Sequence, residues 1–317
     1  MSELPRRQFV SSCAATLAAA ASSPWKSAFA RESTTPVPEA RDLLSVMLWT
    51  VERNSPFEQR VAKVADAGYH AIELVNEYKG WTPSDFARAR QQFQRFNIVV
   101  DASSGIEASL CDASQRDLLL QQISAQLKVF SELQCPRLIL LTGNVVPNLS
   151  REQMRANCIE ALKRAADLCA PQHVEILLEN IDPEENPKYF LTSVAEGFQI
   201  VREVNHPGVR FLYDFFHEQI SEGNLIEKLQ KNLDLVGLVH VADVPGRHAP
   251  GTGEINYANI FCTLGKLSYS HYVAMEFLPT GDVVSELRTA REFAEKCLAE
   301  GRKMAARISS SDNAQVS

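Results

Sequence analysis

A closed (β/α)8 barrel, the TIM-barrel class, is the fold this sequence predicts, and three observations predict it. Eight short apolar runs recur along the chain, each continuous rather than alternating, as strands buried on both faces require. The segments between them carry the periodicity of amphipathic helices, so strand and helix alternate as in parallel βαβ units. Four ligand-type side chains, Glu179, Asp214, His240 and Glu276, lie at or near the ends of successive runs. They stand 35, 26 and 36 residues apart, about one strand–loop–helix unit each. No G-x-G-x-x-G follows the first run, which counts against an open dinucleotide-binding sheet.

Taken in order, the chain begins with Arg6-Arg7-Gln8-Phe9-Val10, a twin-arginine pattern. An Ala/Ser-rich apolar stretch and then Ala28-Phe29-Ala30, an A-x-A cleavage signal, follow it. Residues 1–30 therefore read as a twin-arginine signal peptide cleaved after Ala30, and the expected location is the periplasm. The apolar stretch is too short and too rich in Ala for a stable membrane span. Residues 31–42, RESTTPVPEARD, read as a flexible leader, residues 43–305 as the barrel, and residues 306–317 as a polar, disordered tail.

Within the barrel the expected strands are 44–49, 71–75, 98–102, 137–141, 174–179, 209–214, 236–242 and 272–277. The clearest helical patterns are 57–67, 84–96, 114–133, 151–169, 193–204, 224–233 and 283–298. Ser84, Ser150 with Gln153, and Thr192 are the candidate N-caps.

Composition limits the partners. The 317-residue chain carries a formal charge of −7 and no basic stripe, so nucleic acid is not an expected partner. A small carbohydrate or keto-acid is, and a homo-oligomer remains open. The cysteines past the signal peptide, at 111, 135, 158, 169, 262 and 297, form no C-x-x-C and read mostly as core residues, with a Cys111–Cys135 pair as the alternative.

The chemistry lies in the four strand-end residues. A buried carboxylate must be paired, hydrogen-bonded or bound to metal. One alone would read equally well as a salt bridge or a helix cap. Three acids on strands 5, 6 and 8 plus a histidine on strand 7 converge on one point at the barrel mouth. An O3N set of this kind suits one divalent cation, Mn2+ or Mg2+ first, with Co2+ and Zn2+ compatible. Glu179 and Glu276, across the mouth from each other, suit an opposed acid/base pair acting through an enediolate. His217, three residues after Asp214, and Glu185 and Arg247, on loops after strands 5 and 7, are the candidate substrate contacts. Asp243 is read as orienting His240 or Arg247, and Trp49 as an apolar wall.

The segments LLENID, YDFFHEQISEGNL, LVHVADVPGRHAPGTGEINY and AMEF resemble the hydroxypyruvate isomerase branch of the xylose isomerase-like TIM barrels, close to the tagatose/psicose 3-epimerases. That resemblance implies Glu179, Asp214, His240 and Glu276 as metal ligands, Glu179 and Glu276 also as acid/base pair, and Glu185, His217 and Arg247 as substrate contacts. His240 stands where bacterial hydroxypyruvate isomerases tend to carry Gln. The segments DASSG and LLTGN lack the histidines that related apurinic-site endonucleases use for a zinc cluster. The expected activity is a metal-dependent isomerase or epimerase acting on a sugar or small hydroxy-carbonyl compound. The alternatives are a lyase or hydratase on a 3-keto-glycoside at the same site, and a non-catalytic periplasmic sugar-binding protein.

Overall fold

The continuous apolar runs become strands because, in a parallel barrel, both strand faces are covered, one by helices and one by the barrel interior. The structure, a computed structural model, describes residues 43–315. The expected signal peptide (1–30) and leader (31–42) lie outside the described residues. The strands are β1 (Leu44–Met47), β2 (Ala71–Val75), β3 (Val99–Ser104), β4 (Arg137–Leu141), β5 (Glu175–Glu179), β6 (Val209–Asp214), β7 (Val236–Val241) and β8 (Val273–Met275). They pair in chain order, all parallel, and β8 returns to β1 to close the barrel.

The helices are α1 (Phe57–Asp66), α2 (Pro83–Phe96), α3 (Arg116–Leu133), α4 (Arg151–Cys169), α5 (Val194–Val204), α6 (Phe215–Ser221), α7 (Leu225–Asn232), α8 (Tyr257–Lys266) and α9 (Val283–Gln315). Ser150 caps α4 with Gln153, as expected. At α2 the cap is Thr82 with Asp85 rather than Ser84, because Pro83 is suited to the first helical position. At α5 the cap is Ser193, not Thr192. Two helices were not among those expected. Helix α6 is only seven residues long and shows little periodicity. Helix α8 has its pattern interrupted by Gly265, whose role is close packing: a Cβ there would meet the Leu298 carbonyl oxygen at 2.2 Å. Helix α9 runs through the segment expected as a disordered tail, since each residue added to an existing helix gains a backbone bond without a new nucleus.

Alternation along the strands sorts the barrel interior into layers. On β5, Ile176 and Leu178 face the helices, while Leu177 joins Met47, Ala102, Ile139, Leu212, Leu238 and Ala274 inside. Two residues below Leu177, Glu175 forms ion pairs with Arg137 (3.4 Å) and Arg210 (2.9 Å), an ionic floor. Two residues above it stands Glu179. The apolar layer thus separates the floor from the strand ends that carry the chemistry. The cysteines among the described residues are free; the Cys111 N–H donates to Thr142 O beyond the C-terminal end of β4, and Cys135 precedes its N-terminal end, so these two cannot pair.

Candidate active site

Strand period and register bring the four predicted residues to one level. Asp214 closes β6 and pairs in register with His240 on β7. Glu276 follows β8 by one residue, its N–H donating to Val241 O at 3.0 Å. Glu179 closes β5. All four are buried, none more than 7% exposed. One donor atom from each lies within 4.8 Å of every other. The His240 Nδ1 atom stands 2.7 Å from Glu276 Oε2, 3.5 Å from Glu179 Oε1 and 3.9 Å from Asp214 Oδ2.

Two observations test whether this set fits a cation. Asp214 Oδ2, His240 Nδ1 and Glu276 Oε2 are buried, yet no aligned hydrogen bond satisfies them. Buried polar atoms are seldom left so, and three facing one point are what a coordinated ion would resolve. Asp214 shows the division within one side chain: Oδ1 caps α6 by accepting from Phe216 N (2.7 Å) and His217 N (3.3 Å), while Oδ2 faces the cluster. Three carboxylates and one imidazole suit a hard or borderline divalent cation, so the residues present fit.

The charges are tightly coupled. Burial alone would lower the His240 pKa, but the carboxylates of Glu73, Glu276 and Glu179 outweigh it and raise it well above the ordinary imidazole range. Burial raises Glu179. Burial would also raise Glu276, but Arg247 and His240 outweigh it and hold that carboxyl well below the usual range. For His217, burial is outweighed by the Asp214 carboxylate and the hydrogen bond to Asp182, which bring its pKa up to about 9.

Residues 61–297 match the family of the xylose isomerase-like TIM barrel. The chain belongs to this family. A 2-oxo-tetronate isomerase of Pectobacterium atrosepticum is 29% identical over 245 residues, covering 76% of this chain and 94% of that protein. A putative hydroxypyruvate isomerase of Homo sapiens is 29% identical over 262 residues, covering 77% and 92%. Among solved structures, an AP endonuclease, family 2, from Brucella melitensis superposes with a TM-score of 0.70 at 25% identity, over 77% of this chain and 96% of that one. Matched to isomerases over three quarters of its length, this xylose isomerase-like barrel is an enzyme of the isomerase type. Its strands β3 and β4 end without histidine.

The three expected substrate contacts meet at the mouth of this family member. Arg247, in the left-handed region at φ 59°, donates to Glu185 Oε2 through Nη1 (2.6 Å) and forms an ion pair with Glu276 Oε2 through Nη2 (2.9 Å). His217 lies in the first turn of α6, with Nδ1 2.6 Å from Asp182 Oδ2 and Nε2 3.4 Å from Asp214 Oδ2. Asp243 does not orient His240 or Arg247. Its carboxylate accepts from the N–H groups of Val244, Gly251 and Ile255 and so shapes the loop that carries Arg247. Trp49 is more than a wall, because its indole N–H donates to Glu276 Oε1 at 2.8 Å. Sequence reasoning missed Glu73, the middle residue of β2, 2.9 Å from His240 Nε2. The available signal was an acid inside an otherwise apolar run.

Proposed function

We propose that the protein isomerises or epimerises a small 2-hydroxy-carbonyl compound, a keto-acid or sugar, with one divalent cation held by Glu179, Asp214, His240 and Glu276. The observation carrying this reading is the convergence of four buried donor atoms within 4.8 Å at the C-terminal mouth of the barrel. When bound, the cation would polarise the adjacent oxygens of the substrate and acidify the C–H between them. Arg247 and His217 donate hydrogen bonds that orient those oxygens and stabilise the charge of an enediolate. Glu179 and Glu276 enter the cluster from β5 and from beyond β8 and carry the proton. Return of the proton to the neighbouring carbon on the same face, with one oxygen-bound proton passing between the two oxygens, gives isomerisation; return to the same carbon on the opposite face, by the other carboxylate, gives epimerisation. Catalysis requires Trp49 and Arg247 to hold Glu276 in place, and His217 to be fixed by Asp182. The isomerases named above support a short keto-acid skeleton as the substrate class. Export through a twin-arginine signal belongs to the same reading and would place the reaction in the periplasm.

The test is a metal-supplemented screen of hydroxy keto-acids and keto-sugars in D2O, following deuterium uptake beside the carbonyl. Wild-type protein with Mn2+ should exchange and interconvert its substrate. Glu179→Gln, compared at equal metal content, should keep its fold and lose turnover by several orders of magnitude. Near wild-type exchange in that variant would sink the assigned role. Ligand binding without exchange, indifferent to chelators, would identify a binding protein instead.

A further inference from the structure

We infer that Glu73 is a positioning residue for the metal centre: it holds the His240 imidazole with its hydrogen on Nε2 and so leaves Nδ1 as the donor to the cation. The inference rests on reading the four-residue cluster as a metal centre and extends that reading one layer inward. Glu73 is fully buried in the middle of β2, on the far side of His240 from the carboxylate cluster, so substrate does not reach it. Its Oε2 lies 2.9 Å from His240 Nε2, across 167 residues of sequence. A carboxylate only accepts, so the ring nitrogen facing it must carry the hydrogen. With that hydrogen held on Nε2, the lone pair open to a cation is the one at Nδ1, the nitrogen that stands 2.7 Å from Glu276 Oε2 and 3.5 Å from Glu179 Oε1.

The cost of Glu73 points the same way. A buried carboxylate in an apolar strand is destabilising unless fully bonded, and its second oxygen, Oε1, has no partner. What Glu73 adds is a fixed tautomer and a more basic imidazole, the service that outer carboxylates give to metal-bound histidines. Nothing else within bonding distance of Nε2 offers an acceptor among the described residues.

Three measurements test this. In zinc-loaded wild-type protein, the 15N spectrum of the imidazole should show metal on Nδ1 and hydrogen on Nε2. In a Mn2+ titration, Glu73→Leu should bind 10- to 100-fold more weakly than wild type. Glu73→Gln, whose amide oxygen still accepts the Nε2 hydrogen, should recover most of that loss. Denaturation of the metal-free proteins should find Glu73→Gln close to wild type and Glu73→Leu less stable, because leucine leaves the buried Nε2–H without an acceptor. Metal on Nε2, wild-type affinity in Glu73→Leu, or a Glu73→Gln variant no better than Glu73→Leu in Mn2+ affinity or metal-free stability would each overturn the inference while leaving the metal centre standing. Wild-type protein that binds no divalent cation at all would overturn the underlying reading, and this one with it.

Discussion

At the scale of single residues, the site is built from side chains whose two polar ends serve different neighbours. Asp214 caps a helix with one oxygen and faces the cluster with the other. His240 is divided between Glu73 and the carboxylates. Glu276 receives the Trp49 indole N–H on Oε1 and the Arg247 guanidinium on Oε2. The indole bond makes a separable prediction. Hydrogen bonds to charged groups contribute about 1.5–3 kcal/mol, which corresponds to at least tenfold in a rate. Trp49→Phe keeps the apolar wall and removes only the donor. We expect kcat/KM to fall about tenfold or more in the deuterium-exchange assay, with the fold intact by circular dichroism; an unchanged rate would return Trp49 to the role of a wall. The four clustered residues were legible in the sequence because acids and a histidine at the ends of apolar runs contradict the burial those runs demand. Glu73 contradicts it equally within Ala-Ile-Glu-Leu-Val, but its partner lies 167 residues away, and only closure of the barrel brings them together.

At the scale of elements, strands were more legible than helices, because a strand covered on both faces announces itself by composition alone. Helix α6 was hidden because its cap, Asp214, is also a strand end, and seven residues carry too few turns to show a period. Helix α8 was hidden by the residue that makes it pack. Gly265 and Gly301 let α8 and α9 approach backbone to backbone: a Cβ on Gly301 would meet Cys262 O at 2.0 Å, and one on Gly265 would meet Leu298 O at 2.2 Å. Two effects therefore compete in Gly301→Ala. Helix propensity favours alanine by about 1 kcal/mol. Overpacking against a backbone atom, which cannot move aside as a side chain can, costs about 1–3 kcal/mol or more. The contact is short enough for packing to win. We expect a lowered urea midpoint for Gly301→Ala, whereas alanine at the open Gly223, which has no neighbour within 4 Å, should show only the smaller strain of its positive φ. A stabilised Gly301→Ala would mean that α8 and α9 are not in close contact.

At the scale of the whole molecule, the barrel interior is a stack: ion pairs among Arg137, Glu175 and Arg210 at the floor, an apolar layer above them, and the carboxylate–histidine cluster at the mouth. The floor sets two arginines against one glutamate. The mouth gathers Glu179, Asp214, Glu276 and, beneath them, Glu73, against His240 and Arg247, so it retains an excess of buried negative charge. Folding must hold these carboxylates together, and a bound cation would relieve part of that cost. Metal should therefore appear in the stability of the entire barrel. At a free cation concentration of about 100 times Kd, binding to the native state alone adds about 2.7 kcal/mol. For a domain of this size, that corresponds to a rise in Tm of about 5–10 °C. The control follows from the divided role of Asp214. Asp214→Asn keeps the oxygen that caps α6 and removes the charge at the cluster, so it should fold without metal and lose most of the Mn2+-dependent rise. Differential scanning calorimetry of chelated and Mn2+-supplemented protein measures both. A rise of equal size in Asp214→Asn would place the stabilising cation elsewhere on the molecule.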